Sequence, residues 1–537
     1  MFEIMGNVAR NMENDRAKLI AAMVRDAGKT ISEANPEVSE AIDFARLYGL
    51  TALEKINGSS PKGVVVVASP WNFPYAIPAG GIIAALVSGN TVIFKPAPET
   101  VLTGWELVNQ LWKSGVPKQA LHFVPTRDDE VGEHLIGHKD VDSVVLTGSF
   151  ETAELFSSWN PNLHLIAETS GKNSMIITSS ADIDLAVKDL IQSAFGHAGQ
   201  KCSAASLAIV DEKMYDNPSF FKQLVDATTS LTYGNPVNLN TSIGPVISQP
   251  SGKLLRALTE LEEGEEWLVQ PKQVENTNVW SPGIKINVQP DSWTHQTEWF
   301  GPVLGIMKAP DLKTAVDWQN KTEFGLTAGL HSLSKKECEY WLKNVEAGNL
   351  YINRPITGAI VERQPFGGWK KSKFGPTVKA GSSLYPLMFK NFTKVIDYEL
   401  LKTEIQSIWE EKKNKQITQE MKSEINYLQY IPHKKILIVI DGELSKPEKD
   451  YFSFIEKLLK IKVLVKEFQD FKLDELDNIS KIRWLSTNKP PYELQYMIDK
   501  LAITQNSKRE ILVWIQEQSV SITNHRYGNT GFSPINL

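Results

Sequence analysis

The chain has 537 residues, which at roughly 150 residues per domain is enough for about three or four units and a large buried core. Hydrophobic residues make up 42% and charged residues 22%, and 57 Lys+Arg against 63 Asp+Glu give a net charge of −6; disorder, a collagenous chain and a globally basic binder of nucleic acid or anionic membrane are excluded, and a small-molecule substrate is favoured. Two cysteines, Cys202 and Cys338, are too few for a disulfide framework or a four-thiolate zinc site, which points to a reducing compartment, the cytoplasm.

In chain order, residues 1–26 carry charges throughout and no apolar signal core, and residues 8–27 and 36–50 read as amphipathic helices. The β-branched run 64–67 in "GVVVVASPWNFP" suits a strand buried on both faces. The most apolar stretch, 76–94, is interrupted by Pro78, Gly80, Gly81, Gly89 and Asn90 and falls short of the about 20 apolar residues of a membrane span. "IIAALVSGN" suits a helix, "TVIFKP" a strand, "LTGWELVNQLWKSG" a helix, and "ALHFVP" and "VDSVVLTGS" strands. This βαβ rhythm predicts a parallel sheet with helices on both faces, and the same style continues through "HLIAETSGKNSMII" and the helical "DLAVKDLIQSAFG". Of 34 glycines only Gly442, Gly528 and Gly531 follow Glu399, which marks a compositional boundary. Residues 400–429 are charged and helix-prone, a connector, and beyond them "KKILIVID", "IKVLVKEF", "KIRWLS" and "EILVWIQ" are strand candidates separated by the helical "DYFSFIEKLLK" and "YELQYMIDKLA". A second, smaller α/β unit is expected there. Its end, with Ser519, Ser521 and Thr523 alternating with Val520 and Ile522, suits an exposed strand able to pair with another sheet edge.

Six residues can carry chemistry. Cys202 in "FGHAGQKCSA" becomes a nucleophile only where its surroundings favour thiolate, and a free cysteine is as readily a small buried apolar residue. Glu168, at the end of an apolar strand and before a glycine turn, is a candidate general base or a capping carboxylate. Asn72 in "PWNFP" can donate to an oxyanion or structure a turn. Lys95 ends a strand where open α/β sheets bind ligands, although a surface lysine there is equally ordinary. Gly148 and Ser149 stand at a strand-to-helix junction where backbone N–H groups can meet a pyrophosphate, or simply make a turn. The nine histidines show no H-x-x-x-H pair flanking a glutamate, so no metal site is expected.

The order of the blocks says more than any one of them. "PWNFP", "FKPAPET", "LTGS", "AETSGKN", "FGHAGQKCSA", "EWFGPVLG" and "QPFGGWKKS" resemble the aldehyde dehydrogenase superfamily over residues 8–390, with Glu168 and Cys202 34 residues apart. "EAIDFARLYG", "NRPITGAIVERQPFGGWKKS" and "FGPTVKAGSSLY" resemble L-glutamate γ-semialdehyde (1-pyrroline-5-carboxylate) dehydrogenases, including the carboxy-terminal half of bifunctional proline utilization A. The tail "EILVWIQEQSVSITNHRYGN" is similar to the end of the longer bifunctional members, which append a degenerate aldehyde-dehydrogenase-like domain lacking the nucleophile.

The resemblance implies an α/β aldehyde dehydrogenase fold with these parts: a Rossmann-like NAD-binding domain at 1–170, with oligomerisation strands at 43–61; a catalytic domain at 171–385; an oligomerisation strand and helical connector at 386–430; and the degenerate domain at 431–537. It implies that Cys202 attacks the aldehyde, that Asn72 with the Cys202 backbone N–H holds the oxyanion, and that Glu168 activates water to cleave the thioester. Pro70, Trp71, Lys95, Gly148, Ser149, Glu298 and Phe300 stand where the family contacts its cofactor, NAD in preference to NADP, although the position three after Lys95 is Pro98 rather than an acidic residue. Phe73, Phe195, Ser203, Gly381 and Ser382 stand at the substrate positions, with the backbone N–H groups of the "AGSS" loop as an anion nest for the α-carboxylate. The activity implied is the second step of proline catabolism, in a homo-oligomer, with a proline dehydrogenase domain upstream or in trans. Only 71 residues precede Asn72, so amino-terminal elements of the cofactor domain are expected to be missing and the chain to be a fragment. The competing readings are a dehydrogenase for another aldehyde and a non-catalytic assembly subunit of the same fold.

Overall fold

Met5, Val8, Ala9 and Met12 recur at helical spacing and are buried, which makes Phe2–Asn14 (α1) an amphipathic helix. A computed structural model describes residues 1–53, 58–127, 129–160, 162–375, 378–395, 397–476 and 478–525. The single helix expected over 8–27 is two, because α1 stops before Asp15 and α2 runs Arg16–Ala27. At that joint the Asp15 carboxylate accepts the Gln110 side-chain N–H at 2.7 Å, tying the turn to a neighbouring helix. A capping box of Thr30 and Glu33 then opens α3, Ile31–Thr51. Residues 43–51 are therefore helical and not the oligomerisation strand expected over 43–61: Ala41, Phe44, Ala45 and Tyr48 are buried at spacings of three and four. Ser59–Pro61 (β1) is a strand, and residues 54–57 lie outside the described residues.

Next come β2 (Val64–Ala68), α4 (Ala76–Val87), β3 (Thr91–Lys95), α5 (Val101–Lys113), β4 (Leu121–Phe123), α6 (Glu130–Gly137), β5 (Ser143–Thr147), α7 (Phe150–Trp159) and β6 (Leu165–Glu168). β7 (Asn173–Ile177) opens a second sheet, followed by α8 (Ile183–Phe195), β8 (Ala205–Asp211), β9 (Glu266–Val269), β10 (Gly283–Ile286), β11 (Val303–Ala309), β12 (Phe324–Gly325), β13 (Thr327–His331) and β14 (Asn349–Ile352). β15 (Trp369–Lys370) pairs with β12, and β16 (Lys373–Phe374) returns to the first sheet, antiparallel to β6 with Lys373 opposite Glu168. The first sheet has the order β16-β6-β5-β2-β3-β4 and is parallel from β6 to β4. From β2 the chain winds one way to β3 and β4 and the other way to β5 and β6, so the strand order reverses between β2 and β5.

β17 (Lys390–Phe392) pairs antiparallel with β1. The expected helical connector is a helix only over Tyr398–Lys412; it continues into a hairpin of β18 (Gln416–Glu420) and β19 (Glu424–Pro432). Charge masked an alternation there: Ile425 and Tyr427 face one core and Leu428 and Tyr430 another. β20 (Lys435–Ile440), β21 (Lys462–Glu467), β22 (Lys481–Trp484) and β23 (Ile498–Asp499) form a small parallel sheet in the order β21-β20-β22-β23. Its fourth strand is β23, inside the stretch 492–502 expected to be helical, where Pro490 and Pro491 leave only a short 3-10 turn, Tyr492–Met497. The expected strand over 510–516 begins instead as a short helix, Ser507–Ile511, and β24 (Ile515–Thr523) departs to the second sheet. There the order is β18-β19-β24-β14-β13-β7-β8-β11-β10-β9. The expected exposed tail strand is thus internal, pairing with β14 on one side and β19 on the other. Residues 526–537 lie outside the described residues. One core joins α1–α5, the first sheet and the tail unit, from Met5 and Phe94 through Ile436 to Trp514.

Candidate active site

Ligands of open parallel sheets bind at the carboxyl ends of the strands where the strand order reverses. Two loops leave that point: the one after β2 carries Pro70, Trp71, Asn72 and Phe73, and the one after β5 carries Gly148 and Ser149. Lys95 ends the adjacent β3 and is buried, and Glu168 ends β6. Ser149 is the N-cap of α7, its hydroxyl accepting the Thr152 N–H at 3.1 Å.

The loop after β2 is held by two residues that no sequence motif singles out, Lys29 and Glu37. Lys29 and Glu37 form a wholly buried ion pair at 2.7 Å. Lys29 also donates to the Asn72 carbonyl at 2.9 Å and lies 3.9 Å over the Phe73 ring, while Glu37 accepts the Tyr75 and Ala76 N–H groups at 2.8 and 3.1 Å. The Asn72 side-chain N–H donates to the Gln200 carbonyl at 2.9 Å, which orients the amide against the nucleophile loop two residues before Cys202.

That loop is itself strained. His197 and Ala198 both adopt φ near +54°, unusual for residues with a Cβ, and the His197 N–H is held by the Glu33 carboxylate of the α3 capping box. Cys202 is half-buried, and Asn173 donates to its carbonyl at 2.7 Å. Gly171 can have no side chain here: a Cβ would stand 2.9 Å from the Cys202 carbonyl oxygen. Gly199, at φ 69°, packs so closely on the following segment that a Cβ would stand 2.2 Å from the Gly301 carbonyl oxygen. Burial, with the Glu168 and Glu298 carboxylates nearby, pushes the Cys202 thiol up to about 12, and the Ser203 N–H opposes this. Glu168 is raised by burial to about 7, against the pull of Lys379, the Gly368 N–H and Lys373; that N–H donates to the carboxylate at 3.0 Å. Burial thus disfavours the charged form of both the thiol and the carboxylate.

Glu298 accepts the Gly171 N–H at 2.8 Å, and Phe300, at φ 56°, meets Trp71 edge-on with ring centroids 5.6 Å apart. These two segments, far apart in sequence, close one end of the cleft. Beside them the Lys172 ammonium lies 3.4 Å over the Trp299 ring, buried and without a hydrogen-bond partner. The N-terminus of α7 and the opening between β2 and β5 fit a polyanionic dinucleotide such as NAD.

The substrate positions divide. Ser203 is buried next to the nucleophile, its carbonyl accepting the Thr327 hydroxyl at 3.3 Å, and Phe73 is half-buried. Phe195 is packed into the catalytic core and 1% exposed. The anion nest expected at Gly381 and Ser382 differs: the Gly381 N–H donates to the Tyr48 hydroxyl at 2.8 Å and the Ser382 N–H to the Lys379 carbonyl at 3.2 Å. Both groups serve the loop's own folding, because Gly381 turns at φ 79° against the end of α3.

A doubly wound parallel sheet followed by a second α/β sheet, with a half-buried thiol before β8 and a carboxylate at the end of β6, is the architecture of an α/β dehydrogenase. Residues 2–392 match the aldehyde dehydrogenase family, and the chain belongs to that family. It is 35% identical over 407 residues to the 1-pyrroline-5-carboxylate dehydrogenase of Bacillus cytotoxicus, covering 71% of this chain and 78% of that one. It is similar to the structure of proline utilization A from Corynebacterium freiburgense, with a TM-score of 0.91 and 40% identity; the match covers 99% of this chain and spans 57% of the length of that protein. A 1-pyrroline-5-carboxylate dehydrogenase from Thermus with bound NAD matches with a TM-score of 0.67 and 32% identity, over 73% of this chain and 80% of that one. Among the described residues no helix is long and apolar enough to cross a membrane.

Proposed function

We propose that the chain oxidises L-glutamate γ-semialdehyde, formed by ring opening of 1-pyrroline-5-carboxylate, to L-glutamate with NAD as the oxidant. The observation that carries this reading is that the Asn72 amide is bound to the loop two residues before Cys202 and that the Glu168 carboxylate acts on the Cys202 thiol, in a chain 35% identical to a 1-pyrroline-5-carboxylate dehydrogenase. Cys202 gives its proton to Glu168 and attacks the aldehyde carbon, forming the C–S bond while the carbonyl electrons move to oxygen. The Asn72 side-chain amide, one N–H already fixed on Gln200, offers its other N–H to that oxyanion together with the Cys202 backbone N–H. Lys95, the α7 N-terminus, Glu298 and Phe300 would hold the dinucleotide, which when bound would accept the hydride lost from the former aldehyde carbon as its oxyanion re-forms a carbonyl, now that of a thioester. Glu168 passes the thiol's proton to solvent and, ionised again, takes a proton from the water that attacks the thioester; the tetrahedral oxyanion then collapses, the C–S bond breaks, and the leaving thiolate recovers that proton from Glu168 as the acid departs.

On this reading residues 1–170 hold the cofactor, residues 171–385 carry the thiol, and the unit at 431–537 does no chemistry of its own. The chain works in the cytoplasm as a homo-oligomer, in series with a proline-oxidising domain upstream or in trans. The occupied N–H groups of Gly381 and Ser382 favour one competitor, a dehydrogenase for an aldehyde without an α-carboxylate. NADH formation with 1-pyrroline-5-carboxylate against a panel of simple aldehydes, each with NAD and NADP, separates the two. Equal turnover of propanal and glutamate semialdehyde rejects the carboxylate substrate.

A further inference from the structure

Glu168 also lines a small cleft whose far wall is the tail: Lys373, Lys379 and Trp369 line it together with Lys481 and Glu517. Glu517, on β24, is buried and reaches across with one carboxylate oxygen to accept the Lys379 backbone N–H at 2.9 Å; its backbone carbonyl accepts the Trp369 indole N–H, also at 2.9 Å. The other carboxylate oxygen is buried without a hydrogen-bond partner. The Lys379 ammonium, in turn, is held at 2.8 Å by Asn349 and at 2.7 Å by the carbonyl of Gly367, the residue before the one whose N–H binds Glu168. The tail, the lysine and the base therefore form one connected chain of contacts.

We propose that Glu517 is a positioning residue for thioester hydrolysis: its carboxylate, bound to the Lys379 backbone N–H across the cleft, supports Lys379, whose side chain is anchored on Asn349 and on the Gly367 carbonyl beside the Gly368 N–H that binds Glu168, and Lys379 in turn favours the charged form of that carboxylate. The inference rests on Glu168 acting as the base in the reaction proposed above. The charged and titratable groups facing Glu168 are Lys379, Lys373 from the opposed strand β16, the Cys202 thiol and Tyr385. Those facing Glu517 are Lys379, Lys373, Lys412 of the helix Tyr398–Lys412, Tyr430 of β19, and Lys481 of β22 across the cleft. Glu517 supports the charge of both Lys379 and Lys373, which both stabilise the Glu168 carboxylate, so its influence on the base runs through them. Removing its charge weakens both cations and makes Glu168 harder to ionise.

Hydrolysis of p-nitrophenyl acetate by the full chain tests this without an assumption about the aldehyde. The nitrophenolate burst reports acylation of Cys202, and the steady state reports deacylation. Glu517→Gln keeps an oxygen for the Lys379 N–H and removes only the charge. The expected result is an unchanged burst and an acid limb of deacylation moved up by about one pH unit, a roughly tenfold loss on that limb, with Glu517→Asp returning it toward wild type. Lys379→Gln moves the limb in the same direction, and decides the matter if Glu517→Gln does not fold. Limbs that stay in place or move down, while Glu168→Gln still bursts without turnover, overturn the role of Glu517 and leave Glu168 as the base. A Glu168→Gln chain that turns over normally overturns both.

Discussion

Lys29→Met removes the cation beneath the loop after β2 while keeping the length of the side chain. Lys29 and Glu37 are fully buried, so the substitution strands a carboxylate rather than a solvated group. Removing one partner of a buried pair costs about 3–5 kcal/mol. Two N–H donors, Tyr75 and Ala76, remain on Glu37, which places the expected loss near the lower end, about 3 kcal/mol. Glu37→Gln in the same chain neutralises the stranded charge and keeps an oxygen for those donors, so the double variant recovers much of the loss. The assay is the midpoint of guanidinium unfolding for wild type, single and double variants, with the NADH burst measured in parallel, because the Asn72 carbonyl loses its anchor. A single variant within about 0.5 kcal/mol of wild type, a size typical of surface changes, refutes the assignment of this pair as the support of the oxyanion loop.

Cys202→Ala abolishes NADH formation and leaves cofactor binding intact by calorimetry, because only the sulfur can form the covalent intermediate. With Glu168 ionising near pH 7, thioester hydrolysis falls about tenfold per pH unit below that value, where the carboxyl is protonated, and levels off above it; single-turnover measurement across pH reads this directly. Gly199→Ala drives a Cβ toward the Gly301 carbonyl and displaces the nucleophile loop, lowering kcat/KM by at least about tenfold, the equivalent of roughly 1.4 kcal/mol. A chain ending at Ser507 loses Trp514, Val520 and Ile522 from two cores and bares the edges of β14 and β19, so it is expected to aggregate, read by light scattering, rather than only to lose activity.

The first sheet was legible because its signals are local. A run such as Val64–Ala68 has few ways to be satisfied other than as a buried strand, and the candidate positions Glu168, at a strand end, and Asn72 and Cys202, on loops, sit close to that local pattern. The errors fall where a distant partner decides. Asp15 breaks a helix because Gln110 waits for its carboxylate, and the hairpin of β18 and β19 forms because β24 offers it an edge. The surroundings of the expected anion nest depend on distance in the same way: a hydroxyl from Tyr48, 333 residues earlier, accepts the Gly381 N–H.

The tail shows what such distant pairing does for the site. Sequence alternation identified residues 519–523 as a strand, yet could not name its partners, and those partners decide its role. A free edge would make it a docking strand for another chain; pairing on both sides makes it part of the catalytic sheet. Because β24 lies next to β14, and Lys379 is bound both to Asn349 at the start of β14 and to Glu517 of β24, the environment of Glu168 is complete only once the last described strand has docked. The small parallel sheet beyond residue 434 then acts as the holder of that strand: Arg483 of β22 grips Glu510 with both guanidinium arms in the buried interior, five residues before β24 begins. A domain without a nucleophile of its own can in this way set the electrostatics of a reaction carried out more than 300 residues earlier in the chain.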